Sequence, residues 1–594
     1  MNLTDRLIHV IPFALVIAGA SGLVALPLSA QVAPGQPPAV AEDNRHPGLP
    51  PGLQVSETRC DTLVLCPEGL IPGLEPWLRH RQSQGYRIHV ASPGKNAVHI
   101  RRQIRRIASR SDLQHVILVG DTPGLDGRNG SRSVATDYIA ARVVSRFGSE
   151  PEIASDNGFA DLDDDGLPDL TIGRLPVDTP AQLATLVSKI IRYESAPIGP
   201  WQRQINLVAG TGGFGDVSDG VIEKASRGMI SELIPPEYAV SLTWANWSSA
   251  FCPDPREFAD TTVERLNEGC LFWVYMGHGH PHRLDYVRTP AGGFPMFSQQ
   301  DVERVQCRHG FPVALMLACY TGAFDLPNDC LSEQLVLQPG GPVAAVCSSR
   351  VSMPYGMSAL SLGLIEEYFA GDRQTLGEML LVAKRKLGQS QADSAAAVEP
   401  EPRPSAMALS SEQSFDEADS TRETPHQKYR RTIQVLGEVF SPRGIVLSEE
   451  AREHVHLFHL LGDPLLRMKR PETIELTVQQ LESDPRRLVV HGQVPRSGQL
   501  LVELGYARDR YRSRPPRRQE FRRDARSLAD YTRVYQQANE RTVTRKLIEV
   551  QAGAFRTELE LPEWARGRCV VRGFMAAGAE RYALGSSRIH IQRR

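Results

Sequence analysis

The chain has 594 residues, of which 41% are hydrophobic and 23% charged. That length exceeds a single core and implies several domains of roughly 100–200 residues each. A formal net charge of -2 supplies no global attraction to nucleic acid or to an anionic membrane, so neither is expected as a partner.

At the N-terminus Arg6 precedes an almost wholly apolar run over residues 11–28, and small residues lead to Ala30. This order predicts a secretory signal at 1–30 and an exported protein, in the cell envelope or beyond it. An uncleaved membrane anchor is the alternative reading. No later stretch approaches the ~18 apolar residues of a spanning helix. Residues 31–58, rich in Pro and Gly, read as a linker. The nine cysteines are odd in number and show no C-x-x-C spacing, so at least one thiol is unpaired within the chain and no zinc ribbon is suggested.

From Cys60 the pattern alternates. "DTLVLC" reads as a strand, "LEPWLRHRQSQG" as a helix, "YRIHVAS" as a strand, "AVHIRRQIRRIASRS" as a basic amphipathic helix and "HVILVGD" as a buried strand. After an acidic loop the alternation resumes with "PAQLATLVSKIIRYE", "INLVAG", "VIEKASRGMISEL", "AVSLTW" and "FADTTVERLNEG". The strands "CLFWVYMG", "FPVALMLAC" and "GPVAAVCSS" complete it. Such alternation predicts a mostly parallel, doubly wound sheet. The expected parts are an N-terminal α/β subdomain at 59–205 and a second, catalytic one at 206–471. Residues 389–427, poor in apolar residues and rich in Ser, Glu, Ala and Pro, read as a disordered insertion. Over 472–594 five alternating strands predict a small all-β sandwich. Its arginine-rich stretch "RDRYRSRPPRRQEFRRDAR" reads as a solvated charged hairpin.

Two buried strands end in chemically useful residues, one in His278–Gly279 and the other in Ala318–Cys319. Ligands of open α/β sheets bind beyond the carboxyl ends of the strands, which places an imidazole and a thiol at one rim. A positioned His raises the nucleophilicity of a thiol. Gly279 permits close approach of a substrate carbonyl, and the N–H groups of Gly279 and Cys319 are candidates for oxyanion donors.

An apolar block ending in His-Gly, followed by one ending in Ala-Cys, resembles the caspase-like clan of cysteine peptidases, and within it the gingipain family. "LVGD", "PDLTIGRLPV", "YMGHG", "NDCLSEQL" and "LLGDP" stand in the family's order, over roughly residues 60–470. The resemblance implies caspase-like, doubly wound, mostly parallel sheets in two subdomains, followed by an immunoglobulin-like β-sandwich. It implies an endopeptidase acting on proteins or peptides, with Cys319 as nucleophile and His278 as acid/base. Gingipains also place a Glu near the catalytic His; here Gly210 or Thr211 takes that position. This departure sustains a second reading, a catalytically inactive surface or binding protein.

His278, His280 and His282 alternate, which raises zinc as a remote third reading. Against the H-x-H-x-D-H pattern of zinc hydrolases, however, His282 replaces the Asp and Arg283 the last His. A cation is better suggested by "DLDDDGLPD": Asp161, Asp163 and Asp165 alternate, Gly166 supplies a turn and Asp169 follows, a spacing that suits structural calcium. The twelfth position is Ile172 rather than the Glu of an EF-hand, and calcium binding is known in the family. The resemblance further implies cleavage after basic residues. Asp219 stands where arginine-selective members carry the pocket acid, with Asp216 close by, and Tyr355 stands near a family aromatic that packs on the substrate's aliphatic stem. Asp219 also suits a helix N-cap.

Overall fold

A computed structural model of the chain describes residues 48–49, 52–123, 131–210, 232–389, 425–440, 445–512, 515, 518, 520–577 and 581–592. The signal, most of the linker, Asp216, Asp219 and nearly all of the 389–427 insertion lie outside these residues. Among those described, no helix is long and apolar enough to cross a membrane.

Ten short apolar runs become the strands of one sheet. They are β1 (Thr62–Leu65), β2 (Ile88–Ala91), β3 (His115–Val119), β4 (Thr171–Leu175), β5 (Gln204–Ala209), β6 (Ala239–Trp244), β7 (Phe272–Met276), β8 (Val313–Leu317), β9 (Ala344–Ser348) and β10 (Phe458–Leu461). Their order across the sheet is β2-β1-β3-β4-β10-β9-β8-β7-β5-β6. In β1, β3, β8, β9 and β10 every residue is buried, as expected of strands covered on both faces. Each half of the sheet is parallel, and the halves meet antiparallel where Ala345–Ser348 pairs with Phe458–Leu461. The expected pair of sheets is therefore one continuous mixed sheet. The cause is β10, the last segment of the α/β region, which enters between β4 and β9 and joins both.

Two of the motifs make this junction. A Cβ on Gly173 would lie 2.5 Å from the carbonyl oxygen of Gly462, so the "TIGR" and "LLGDP" backbones touch. Asp463, fully buried, accepts from Trp77 Nε1 at 2.5 Å and Arg81 Nη2 at 2.6 Å, tying helix Glu75–Ser83 to the centre of the sheet. A buried carboxylate is tolerable when paired and hydrogen-bonded in this way.

Beyond residue 471 lie a five-stranded and a three-stranded sheet, which enclose a shared core including Leu488, Val490, Leu500, Val502 and Val571. Between strands Gly498–Tyr506 and Thr542–Val550 most described residues of the arginine-rich stretch are exposed, Arg510, Arg512, Arg522 and Arg523 among them, while Arg508 and Arg518 turn inward. Arg508 donates to the carbonyls of Pro235 and Tyr238 at 2.6 and 2.7 Å, and Arg518 stacks 3.7 Å from the Tyr531 ring. Helix Ala525–Asn539 follows and covers the edge strand β6. The Asn539 amide donates to the Leu242 carbonyl at 3.0 Å and accepts its N–H at 2.8 Å, standing in for a neighbouring strand.

Candidate active site

β7 and β8 are parallel neighbours with Met276 opposite Leu317, and Gly277 N–H reaches the Leu317 carbonyl at 3.3 Å. Beyond the ladder the segments that carry His278 and Cys319 stay close. The backbones touch there: a Cβ on Gly279 would lie 2.4 Å from the Cys319 carbonyl oxygen and 2.8 Å from Ala318 Cβ. Only glycine fits at 279.

The chain leaves β8 through a sharp bend. Tyr320 has φ +59°, left-handed backbone that L-residues enter at a cost of about 1–2 kcal/mol. Its neighbours over-determine it, since its N–H donates to the Arg350 carbonyl at 3.1 Å and its hydroxyl to Glu150 at 2.9 Å. Arg350 is held in turn by two bonds to Asp325, of 2.8 and 2.6 Å. The bend presents Cys319 half-buried at the rim. Its sulfur meets the backbone of the loop after β9: Ser352 N–H donates to it at 3.3 Å, and it donates to the Ser352 carbonyl at 3.6 Å.

His278 is exposed at the same rim. The buried Tyr275 hydroxyl donates to its carbonyl at 2.6 Å. Of the two residues expected where gingipains carry Glu, Gly210 donates its N–H to the Met276 carbonyl at 2.8 Å. A Cβ at 210 would lie 3.4 Å from the Tyr275 hydroxyl, so the phenol fills the space beside it. Thr211 lies outside the described residues.

His280 and His282 belong to a small hairpin in which Gly279–His280 pairs with Arg283–Leu284. Its turn is fastened where Leu331 N–H donates to the Pro281 carbonyl at 2.6 Å. Burial, then Arg283 and His282, lower the His280 pKa. Because the turn at Pro281 interrupts the extended run, the three histidines do not converge as a ligand group among the described residues.

The acidic loop does converge. Carboxylate oxygens of Asp161, Asp163 and Asp165 lie within 4.8 Å of one another. Asp164 at φ +64° makes the turn, and the Asp161 carboxylate accepts from the N–H groups of Asp164 and Gly166 at 2.7 and 3.0 Å. Burial raises the Asp161 pKa, which the two backbone bonds partly offset. Three hard oxygen donors around a tight turn fit a calcium ion. Asp169 does not join them: it accepts from Leu162 N–H at 2.9 Å and pairs with Arg385 at 2.8 Å. Tyr355 is 7% exposed and faces Gly437 of helix Pro425–Phe440.

Sequence reasoning missed a second carboxylate group, Asp121, Asp178 and Asp329, whose oxygens also lie within 4.8 Å of one another. Burial raises Asp121 to about 7, and Glu333 beside it is pushed well up by burial and then by Asp121. This group could also hold a divalent cation. The available signal was that Asp121 ends "LVGD" and Asp178 directly follows "PDLTIGRLPV", each just beyond a strand.

A model of peptidase family C25 matches residues 55–469. The chain belongs to that family. Its members are cysteine peptidases of gingipain type, and protein or peptide substrates follow from that. The chain is similar in structure to the Arg-specific cysteine proteinase gingipain R (RgpB), with 14% identity, TM-score 0.46 and coverage of 90% of this chain and 98% of that one. It is also similar to the complex of Porphyromonas gingivalis RgpB pro- and mature domains, with 14% identity, TM-score 0.45 and coverage of 89% and 100%. Dimeric latent PorU from the same organism matches at 13% identity and TM-score 0.33, covering 90% of this chain and 43% of that one. No curated protein resembles the chain closely enough to count as a match.

Proposed function

We propose that the protein is an exported cysteine endopeptidase in which Cys319 is the nucleophile and His278 the acid/base. The observation that supports this most is that the parallel neighbours β7 and β8 end at one rim, with the Gly279 and Cys319 backbones in contact just beyond, where such sheets bind ligands. In the reaction the Cys319 thiolate adds to the scissile carbonyl carbon and the π electrons move to oxygen. As the tetrahedral species collapses, the C–N bond breaks and His278 gives its proton to the departing amine. Neutral His278 then takes a proton from water, whose oxygen attacks the thioester; as that tetrahedral species collapses the C–S bond breaks, releasing the acid and restoring the Cys319 thiolate beside protonated His278.

We assign cleavage after basic residues as the preference, with Asp219 as the pocket acid, through a charge-assisted, bidentate pair with Arg. Tyr355 is the wall residue of that reading, although it is buried against Gly437. Calcium held by Asp161, Asp163 and Asp165 would neutralise the loop that precedes β4. The deciding experiment is selective alkylation. Iodoacetamide should label Cys319 faster than the eight other cysteines and abolish casein cleavage in step. Equal labelling with no cleavage would support the inactive reading, and phenanthroline inhibition with alkylator resistance would support zinc.

A further inference from the structure

Behind the rim, the Cys319 sulfur rests on a peptide group that is itself held from the other side. The Ser352–Met353 peptide turns its carbonyl to the sulfur at 3.6 Å, while its N–H donates to His454 Nε2 at 2.8 Å. His454 Nδ1–H donates to the Glu450 carbonyl at 2.7 Å. These partners fix the tautomer: a backbone N–H can only donate and a carbonyl only accept, so Nε2 is bare and Nδ1 carries the proton. Glu450 and His454 lie one turn apart on helix Leu447–Leu457, and Glu450 Oε1 also accepts from Gly356 N–H at 2.9 Å. Met353, at the N-cap of helix Pro354–Ala370, makes no side-chain cap. The helix end and the loop that meets the sulfur are thus fastened by two side chains from another helix. The fit is close, because a Cβ on Gly356 would lie 2.2 Å from His454 Cγ. The Phe458 ring stacks on the imidazole at 26° with centroids 6.1 Å apart.

We infer that His454 is a positioning residue for the nucleophile, holding residues 352–353 so that the Ser352 N–H points at the Cys319 sulfur. An N–H aimed at sulfur favours the thiolate, and without the His454 acceptor the Met353 N–H would lose its buried partner and the loop would relax. Full burial keeps the imidazole neutral, its pKa lowered to about 4, so the acceptor persists through the neutral range. The inference rests on reading Cys319 as the nucleophile.

The test uses the full chain, with iodoacetamide as probe and the Cys319 peptide followed by mass spectrometry. His454→Met should slow Cys319 labelling at pH 7 about tenfold, since a hydrogen bond to a charged group is worth about that factor. It should also move the pH profile of labelling to the alkaline side and lower kcat with KM held within about twofold. His454→Gln, whose Oε1 can accept from Met353 N–H, should restore most of the rate. If His454→Met does not fold, His454→Asn, too short to reach Met353, carries the same expectation. Wild-type labelling in a folded Met or Asn variant, or equal loss in the Gln variant, would overturn the inference. Wild-type protein that labels at Cys319 yet cleaves nothing would sink the peptidase reading and leave this test intact.

Discussion

Gly279→Ala tests how closely the proposed Cys319–His278 dyad is packed. The new Cβ would lie 2.4 Å from the Cys319 carbonyl oxygen, 2.8 Å from Ala318 Cβ and 2.9 Å from Thr321 Cγ2, whereas Cβ atoms essentially never approach within 3.0 Å and make ordinary contact from 3.4 Å. The backbone must therefore open by about 0.6 to 1 Å, the difference between those limits and the shortest contact. β7 and β8 cannot separate, because their ladder runs up to Met276 and Leu317, so the displacement falls on residues 278–279 and 319. Overpacking of this kind costs about 1–3 kcal/mol, and a shift near 1 Å at reacting groups costs ~10²-fold in rate. We expect kcat/KM on a fluorogenic peptide to fall about a hundredfold while the melting temperature drops only a few degrees. Gly293→Ala, where the nearest atom would be 3.4 Å away in an ordinary contact, is the control and should change neither. A Gly279→Ala enzyme within threefold of wild type would refute the claim that backbone contact at this point sets the dyad.

Cys319→Ala and His278→Ala should each abolish cleavage with the fold retained, while His280→Ala and His282→Ala keep most activity; equal loss from all three histidine variants in a peptidase assay would return zinc to consideration. Added calcium should raise the melting temperature of the wild type, and Asp163→Ala should remove that response; a calcium-indifferent wild type discards the site. His454 and His456 are both lowered to about 4 by burial. Their stabilising effect is therefore present above the ordinary value near 6.5 and is lost as pH falls toward 4, with a slope of up to about 1.4 kcal/mol per pH unit for each. His456→Gln should flatten the slope of a urea-melt series from pH 7 to 4, and an unchanged slope would refute this. Asp219→Asn should erase a preference for Arg before the scissile bond in a peptide library read by mass spectrometry; an unchanged preference removes Asp219 from the pocket.

What was legible in the sequence was whatever a strand could signal. β7 and β8 are uninterrupted apolar runs with a His-Gly or a Cys at their ends, so the rim where His278 and Cys319 stand could be read directly. β10 could not, because "FHLL" is four residues long and carries a buried His459, which periodicity treats as polar. The helix Ala525–Asn539 had its apolar spacing in Leu528, Tyr531, Val534, Tyr535 and Ala538, hidden by the arginines that precede it. Asp169 fitted the calcium spacing, but a basic partner distant in sequence, Arg385, claims it. His454 carried no local signal at all: its role depends on Met353, which the fold alone brings within reach.

The place of β10 has a consequence for how the chain acquires its structure. The strand that joins the two halves of the sheet spans residues 458–461 and pairs with Ala345–Ser348 on one side and Arg174 on the other. Until it arrives, β4 and β9 each present an open edge, and the loop-closure entropy of bringing distant segments together must be met before any junction contact repays it. The N-terminal half is therefore expected to stay unjoined, its β4 edge open to pairing with other chains, until residues 458–461 have been made. A truncation just before residue 458 would not trim the molecule but remove its middle.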